Sequence, residues 1–283
     1  MILVTGASGT VGTALVEVLK NSHRFRAGYH SPGKAEKARQ NGLDAIAIDL
    51  MAPETLAPAL AGVETVFLLG AGIRGQVEQE INLIDAARAA GVRRLVKISA
   101  WRAGAEQYAL ARLHRQIEDA VEKSGMAWTF LRPNGFMQNF TGRTAETIKG
   151  QGAIYLPAAD AQISLIDARD IARVAAKVLT EPGHEGNAYD LSGPRGLSYG
   201  DTARILSRQL GRDIKYIPVT DDAAREGMIR AGMPDFYADA LIDLFRAYRN
   251  GMASGVTSSV KSITGHEPIM FDQFVRDHAD AFR

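Results

Sequence analysis

The sequence predicts an α/β fold, a doubly wound parallel sheet with a smaller C-terminal α/β lobe. Three observations predict it. In the first half, six short apolar runs alternate with stretches of helical periodicity, the rhythm of parallel βαβ units. The segment Gly6-Ala7-Ser8-Gly9-Thr10-Val11-Gly12 sets three glycines at three-residue spacing between the first run and the first helical stretch. Beyond about residue 150 the rhythm breaks into short runs and then mostly helical patterns. Residues 1–150 are therefore read as the sheet domain and 151–283 as the smaller, substrate-side lobe, with some exchange of segments between them.

Residues 2–5 form the first strand, closed by Gly6. Val11, Ala14, Leu15, Val18 and Leu19 recur at i, i+3, i+4, i+7 and i+8, one face of an amphipathic helix. Residues 25–29 read as the second strand, with a polar helix over 34–39, and residues 45–48 as the third. Pro53 stands where a proline opens a helix. Residues 65–69 make the fourth strand, and the helix over 76–90 ends at Gly91. Residues 95–99 are the fifth strand, 108–124 a helix stopped by Gly125, and 128–131 a sixth strand ended by Arg132-Pro133. In the lobe, residues 153–156, 162–166, 188–191 and 214–217 read as short strands. Ser198 and Asp201 resemble a capping box ahead of Ala203, Leu206 and Leu210. Pro234 opens a helix with Phe236, Leu241, Leu244, Phe245 and Tyr248 roughly on one side.

Composition narrows the function. The 283 residues carry 33 Lys+Arg against 32 Asp+Glu, a formal charge of +1, without the basic excess that nucleic-acid binding needs. Zero cysteines exclude disulfides, thiolate nucleophiles and cysteine-held zinc, and fit a cytoplasmic location. No apolar run approaches the ~20 residues of a membrane span. The chain passes from Met1 straight into Ile2-Leu3-Val4, so neither a membrane association nor a secretory signal is expected. The six histidines are scattered without metal-ligand spacing, so no resident metal is expected. No serine sits in a nucleophile elbow, which argues against a hydrolase.

The glycine loop points to a dinucleotide. Gly6 suits a sharp turn, Gly9 lets a pyrophosphate approach the backbone, and Gly12 lets helix and strand pack closely. Free N–H groups and the positive dipole end at Thr10 and Val11 then face the phosphates, with Ser8 in the same loop. This makes the sheet domain Rossmann-type and NAD(P)-binding. A second string, Gly28-Tyr-His-Ser-Pro-Gly-Lys34, has P-loop spacing but continues with Ala35, so the hydroxyl that would hold Mg²⁺ is missing. Residues 24–35 contain no acid to accept a ribose 2′-OH and offer His30, Ser31 and Lys34 instead, which favours NADP, with NADPH preferred over NADH.

Further segments carry a resemblance. They are Leu113-His114-Arg115-Gln116-Ile117-Glu118, Ser124-Gly125, Trp128-Thr129-Phe130-Leu131-Arg132-Pro133-Asn134, Asp167-Ala-Arg-Asp170-Ile-Ala, and Tyr189-Asp-Leu-Ser-Gly193. With the glycine loop they resemble the NmrA-like branch of the atypical short-chain dehydrogenase/reductases across nearly the whole chain. His114 with Glu118 four residues later looks like the NAD(P)H:quinone oxidoreductase and triphenylmethane reductase group. The resemblance implies Asp49 and Leu50 as adenine contacts; Leu69, Gly70, Ala71, Pro133, Asn134 and Phe136, at the carboxyl ends of strands, are further candidate cofactor contacts. Walls of an acceptor pocket are expected from Gly72, Trp101 and Phe136, with Phe236 and Tyr237 closing it.

One departure bears on mechanism. Ordinary short-chain dehydrogenases use Tyr-x-x-x-Lys, but here Tyr108 is followed at i+4 by Arg112. Tyr108 is therefore read as a packing aromatic at a helix start. What remains is hydride transfer from NADPH to a small-molecule electron acceptor, quinone-like or otherwise conjugated, in a largely apolar slot. His114 is the catalytic candidate. It stands either near the nicotinamide or its ribose, as a proton donor to the reduced substrate, or beside Glu118 merely holding its helix. The alternative function is a non-catalytic NAD(P)-sensing regulator, the one reading that calls for a protein partner.

Overall fold

Burial on both sheet faces makes the apolar runs continuous rather than alternating: Leu3, Val4, Val66, Phe67 and Leu95 are all fully buried. The computed structural model describes residues 1–70 and 74–283, with Arg143 described by its backbone alone. Six strands pair in parallel: β1 (Ile2–Val4), β2 (Phe25–Tyr29), β3 (Ala45–Ala47), β4 (Thr65–Leu68), β5 (Arg94–Ile98) and β6 (Ala127–Pro133). They alternate with α1 (Thr10–Leu19), α2 (Pro32–Gln40), α3 (Pro53–Leu60), α4 (Gln76–Ala89) and α5 (Ala109–Lys123). Then come α6 (Arg143–Gln151), β7 (Ala153–Leu156), α7 (Ala168–Thr180), β8 (Asn187–Leu191), α8 (Tyr199–Leu210) and β9 (Lys215–Pro218). The chain ends with α9 (Asp221–Arg230), α10 (Asp235–Arg249), α11 (Ser259–Thr264) and α12 (Phe271–Asp277).

The large sheet runs β3-β2-β1-β4-β5-β6-β8, and β7 pairs with β9 separately. Ile2 registers with Phe25 on one side and Thr65 on the other, so the winding reverses between β1 and β4. Such a reversal opens a crevice at the carboxyl ends of the strands.

Two compact units share the chain. The first comprises Met1–Gly104, Leu113–Arg132 and Ile171–Tyr189; the second Ala105–Arg112, Pro133–Asp170 and Asp190–Arg283. In the first, Leu56, Leu83, Ile84, Ile117 and Val121 of α3, α4 and α5 pack with Leu3, Val66, Leu95 and Phe130 of the sheet. In the second, Phe140 meets Phe271 edge-on at 4.9 Å and Phe271 stacks on Phe274 at 5.7 Å. No helix among the described residues is long and apolar enough to cross a membrane.

Several local expectations are corrected. Residues 162–166 form no strand: Ile163 bridges Leu197, Ile166 bridges Phe136, and Ser164 N–H donates to Ala253 C=O at 3.0 Å. Their apolar character comes from burial rather than from ladder pairing. On α1, Val16 is buried and Val18 is exposed. Pro234 is the N-cap of α10 rather than its first residue. The expected box at α8 forms, with Asp201 N–H donating to Ser198 Oγ at 3.0 Å and Ser198 N–H to Asp201 Oδ2 at 2.9 Å.

Candidate functional site

The exits of β1 and β4 are tied together by Thr5. Its Oγ1 lies 3.1 Å from the carbonyls of Phe67 and Leu69 and accepts from Leu69 N–H at 2.9 Å. Gly6 follows at φ +62°, and a Cβ there would press on Leu69 C=O at 3.0 Å, so glycine answers both demands. Gly9 N–H donates to Gly6 C=O at 2.9 Å and Ala7 N–H to Gly28 C=O at 3.1 Å, which pins the turn. At Gly12 a Cβ would stand 2.0 Å from Gly6 O, so α1 can lie on the loop only without a side chain there. Gly9 caps α1 with no side-chain bond, and the helix has no acid in its first turn.

The first N–H groups of α1, at Thr10 and Val11, have no partner one turn earlier, and the positive end of the dipole points past Gly9. Ser8, Gly9 and Thr10 are exposed, while Val11 and Gly12 are buried. Backbone donors, a helix dipole, room for close approach and no carboxylate are what a pyrophosphate requires. The residues present fit a dinucleotide.

At the exit of β4 stands a buried ionic cluster that sequence reading missed. Lys97 on β5 and Glu80 on α4 are wholly buried and ion-paired. Lys97 also donates to Ile98 C=O at 3.1 Å, and Gln76 Nε2 donates to Glu80 Oε1 at 2.6 Å. A Cβ at Gly70 would lie 2.6 Å from Glu80 Oε1, so the glycine makes room for the carboxylate. The available signal was a lone lysine inside the apolar run Leu95-Val-Lys-Ile98.

A second buried carboxylate, Glu118 on α5, is held from three sides. Ser99 Oγ donates to Oε1 at 2.6 Å, Arg132 forks onto both oxygens at 2.9 and 2.7 Å, and Arg115 donates to Oε2 at 3.0 Å. Burial alone would raise its pKa; the bonds from Arg132, Ser99 and Arg115 outweigh that and hold it below the usual carboxylate range.

Each Glu118 oxygen therefore already takes two donors, and His114 Nδ1 is buried with no hydrogen-bond partner. Of the two roles open to His114, the one in which Glu118 satisfies it is therefore not the one this geometry gives. Burial, and then the Lys97 ammonium, push the His114 pKa well below the ordinary imidazole value. The ring is neutral at pH 7, so it can donate a hydrogen bond but is a poor source of a full proton.

After β2, Ser31 caps α2 by accepting from Lys34 N–H at 3.4 Å, and the string with P-loop spacing is simply the end of β2 and the start of α2. The His30 and Lys34 side chains are exposed. Folding returns an acid that residues 24–35 lack: Asp49 Oδ1, beyond β3, lies 3.9 Å from His30 Nδ1 while accepting from Met51 N–H at 2.9 Å. Leu50 is buried in the core, so Asp49 alone of that pair presents a side chain at the surface.

In the second unit, Asn134 is fully committed: its Nδ2 donates to Ser164 Oγ at 2.8 Å and Ala253 C=O at 2.9 Å, and its Oδ1 accepts from Gly135 N–H at 2.9 Å. It knots three segments of that unit together. Pro133 is buried and Phe136 half-buried. Phe236, 40 % exposed at the start of α10, does not share the core with Phe245 and Tyr248, and Tyr237 is half-buried. Tyr108 is buried, and that burial, followed by the charges of Tyr248 and Asp190, raises its pKa above the ordinary phenol value. In the first unit Trp101 is buried, with the Arg102 guanidinium 5.4 Å from its ring centroid. Ala71 and Gly72 lie outside the described residues.

Sheet order and glycine cradle define a Rossmann-type protein built to hold a dinucleotide. A model described as the NmrA-like family matches residues 1–267, and the chain belongs to that family. An NAD(P)H azoreductase of Xenophilus azovorans is 37 % identical over 284 residues, covering 100 % of this chain and 99 % of that protein. Among solved structures, the NADPH-dependent quinone oxidoreductase of Escherichia coli complexed with NADPH matches at TM-score 0.90 and 27 % identity, covering 99 % of this chain and 100 % of that one. Citrobacter sp. triphenylmethane reductase complexed with NADP(H) matches at TM-score 0.88 and 26 % identity, covering 98 % and 99 %.

Proposed function

We propose that this protein is an NADPH-dependent oxidoreductase that moves hydride to a quinone-like or other conjugated small-molecule acceptor. The observation that carries the reading is an intact glycine cradle combined with a neutral His114, its Nδ1 without a partner, in place of an acidic Tyr-Lys pair. The relatives support it, being named as an azoreductase, a quinone oxidoreductase and a triphenylmethane reductase. In the first unit, Gly6, Ser8, Gly9, Thr10, Val11 and Gly12 would hold the pyrophosphate, Asp49 the adenine side, and Ser31 and Lys34 the 2′-phosphate, with His30 partly offset by Asp49. When bound, the reduced nicotinamide supplies the hydride. His114 then donates a hydrogen bond to the oxyanion developing on the acceptor, whose proton comes from water.

NADPH should bind about tenfold tighter than NADH, ~1.4 kcal/mol, because the segment after β2 offers Lys34 and has no acid of its own to receive a ribose 2′-OH. Calorimetric titration of both cofactors checks this. Lys34→Glu should erase most of the preference, and equal affinities in the parent would remove the argument.

Single-turnover oxidation of bound NADPH by a good quinone tests the site. His114→Ala should slow it by no more than ~10²-fold, the low end for an acid-base group, with Tyr108→Phe near the parent. A loss beyond ~10⁴-fold in Tyr108→Phe, with His114→Ala near parental, would restore the ordinary dehydrogenase mechanism.

A further inference from the structure

Taking an ammonium and a carboxylate out of water is unfavourable even when they pair, and apolar side chains of similar volume often replace such a pair without loss. Lys97 on β5 and Glu80 on α4 are nonetheless wholly buried together. Where the carboxylate stands gives the pair a task. Lys97 grips Glu80 Oε2 and is itself tied to the end of its strand, donating to Ile98 C=O at 3.1 Å. The other oxygen, Oε1, accepts at 2.6 Å from Nε2 of Gln76, the first residue of α4. That same Oε1 lies 2.6 Å from where a Cβ of Gly70 would begin. Glu80 is therefore fixed through both oxygens and stands directly behind the backbone at the exit of β4.

From Gly70 the contacts run on to the glycine loop. Leu69 N–H donates to Thr5 Oγ1 at 2.9 Å, and Leu69 C=O is 3.0 Å from where a Cβ of Gly6 would stand. Leu69 and Gly70 are half-buried, so this backbone is backed by Glu80 and still reaches the surface. We infer that the Lys97–Glu80 pair is the positioning element of the dinucleotide cradle: it sets the β4 exit against Gly6, so that the wall beside the glycine loop is in place before a ligand arrives. A hydrogen-bonded ion pair is directional where an apolar contact is not, and a wall already ordered spares that ordering on binding. The ammonium also cancels a carboxylate that would otherwise repel phosphates held by the loop. The inference rests on the reading of the loop as a dinucleotide site and not on hydride transfer.

Lys97→Met combined with Glu80→Gln removes both charges at nearly constant volume and leaves Gln76 an acceptor. In calorimetric titration of this variant, NADPH and NADH should both bind about tenfold more weakly, with their ratio unchanged, because the wall serves a part that both share. Its thermal melt should stay close to the parent's. A merely structural pair would move the melt and leave both affinities alone. Gly70→Ala is the independent variant. Gly70 does not have a positive φ, and the added methyl would point at Glu80 rather than at a ligand. A loss of about tenfold for both cofactors there would reach them through the displaced wall. Parental affinities in the double variant would overturn the inference; if that variant does not fold, parental affinities in Gly70→Ala overturn it. Failure of the dinucleotide reading would show separately, as a parent that binds neither cofactor.

Discussion

Gly9→Val is expected to lower NADPH affinity by about 100-fold or more, ~2.7 kcal/mol, while leaving the fold intact. Gly9 is exposed and has φ −80°, a conformation open to any residue. A Cβ there would meet only Gly6 O, at 3.2 Å. The branched atoms beyond it would fill the space through which a pyrophosphate must reach the N–H groups of α1. Gly12 behaves differently, because a Cβ 2.0 Å from Gly6 O would damage the packing of α1 itself. Calorimetry for affinity and circular dichroism for folding separate the two effects. Parental affinity in Gly9→Val would place the phosphates elsewhere.

Glu118→Ala should destabilise the protein by about 3–5 kcal/mol, since it leaves Arg132, Arg115 and Ser99 facing an empty buried site. The pH dependence follows from the sign of its shift. A carboxyl held below its unfolded pKa contributes stability that is complete above the unfolded value, near 4.3, and lost as pH falls through the folded value. Glu118→Gln should therefore lose stability less steeply than the parent below about pH 4. Asp167 acts in the same sense in the second unit: burial raises it, and bonds from Arg169 and Gln138 more than offset that. Acid sensitivity will thus persist in part. Thermal melts across that range check both variants; a Glu118→Ala protein melting with the parent would show the network to be worth little.

Much of this architecture was legible because strands buried on both faces read as unbroken apolar runs punctuated by glycines. Ile2-Leu-Val, Thr65-Val-Phe-Leu and Gly6-x-x-Gly9-x-x-Gly12 carried sheet, winding and cradle together. Gly6 and Gly12 were readable because each answers a local steric demand. What escaped was set by contacts between distant segments. Lys97 and Glu80, 17 residues apart, look like surface charges until the sheet face brings them together. Asp49 returns to His30 across the β2–β3 pairing, which the acid-free stretch at 24–35 does not foretell. The Glu118 spacing suggested a partner for His114, whereas Arg132, 14 residues away, competes for the same carboxylate with two charge-assisted bonds. Residues 162–166 carried a strand-like pattern because they are buried, and burial without a ladder partner leaves the same trace.

The most direct measurement follows nicotinamide absorbance in a mixture of the protein, NADPH and, in turn, a quinone, an azo dye and a triphenylmethane dye. The expected result is many NADPH oxidised per protein molecule with at least one acceptor, matched mole for mole by acceptor reduced and abolished in step with cofactor binding by Gly9→Val. NADPH bound at saturation yet left unoxidised by every acceptor would contradict the reductase assignment and leave a dinucleotide-binding protein that senses without turning over.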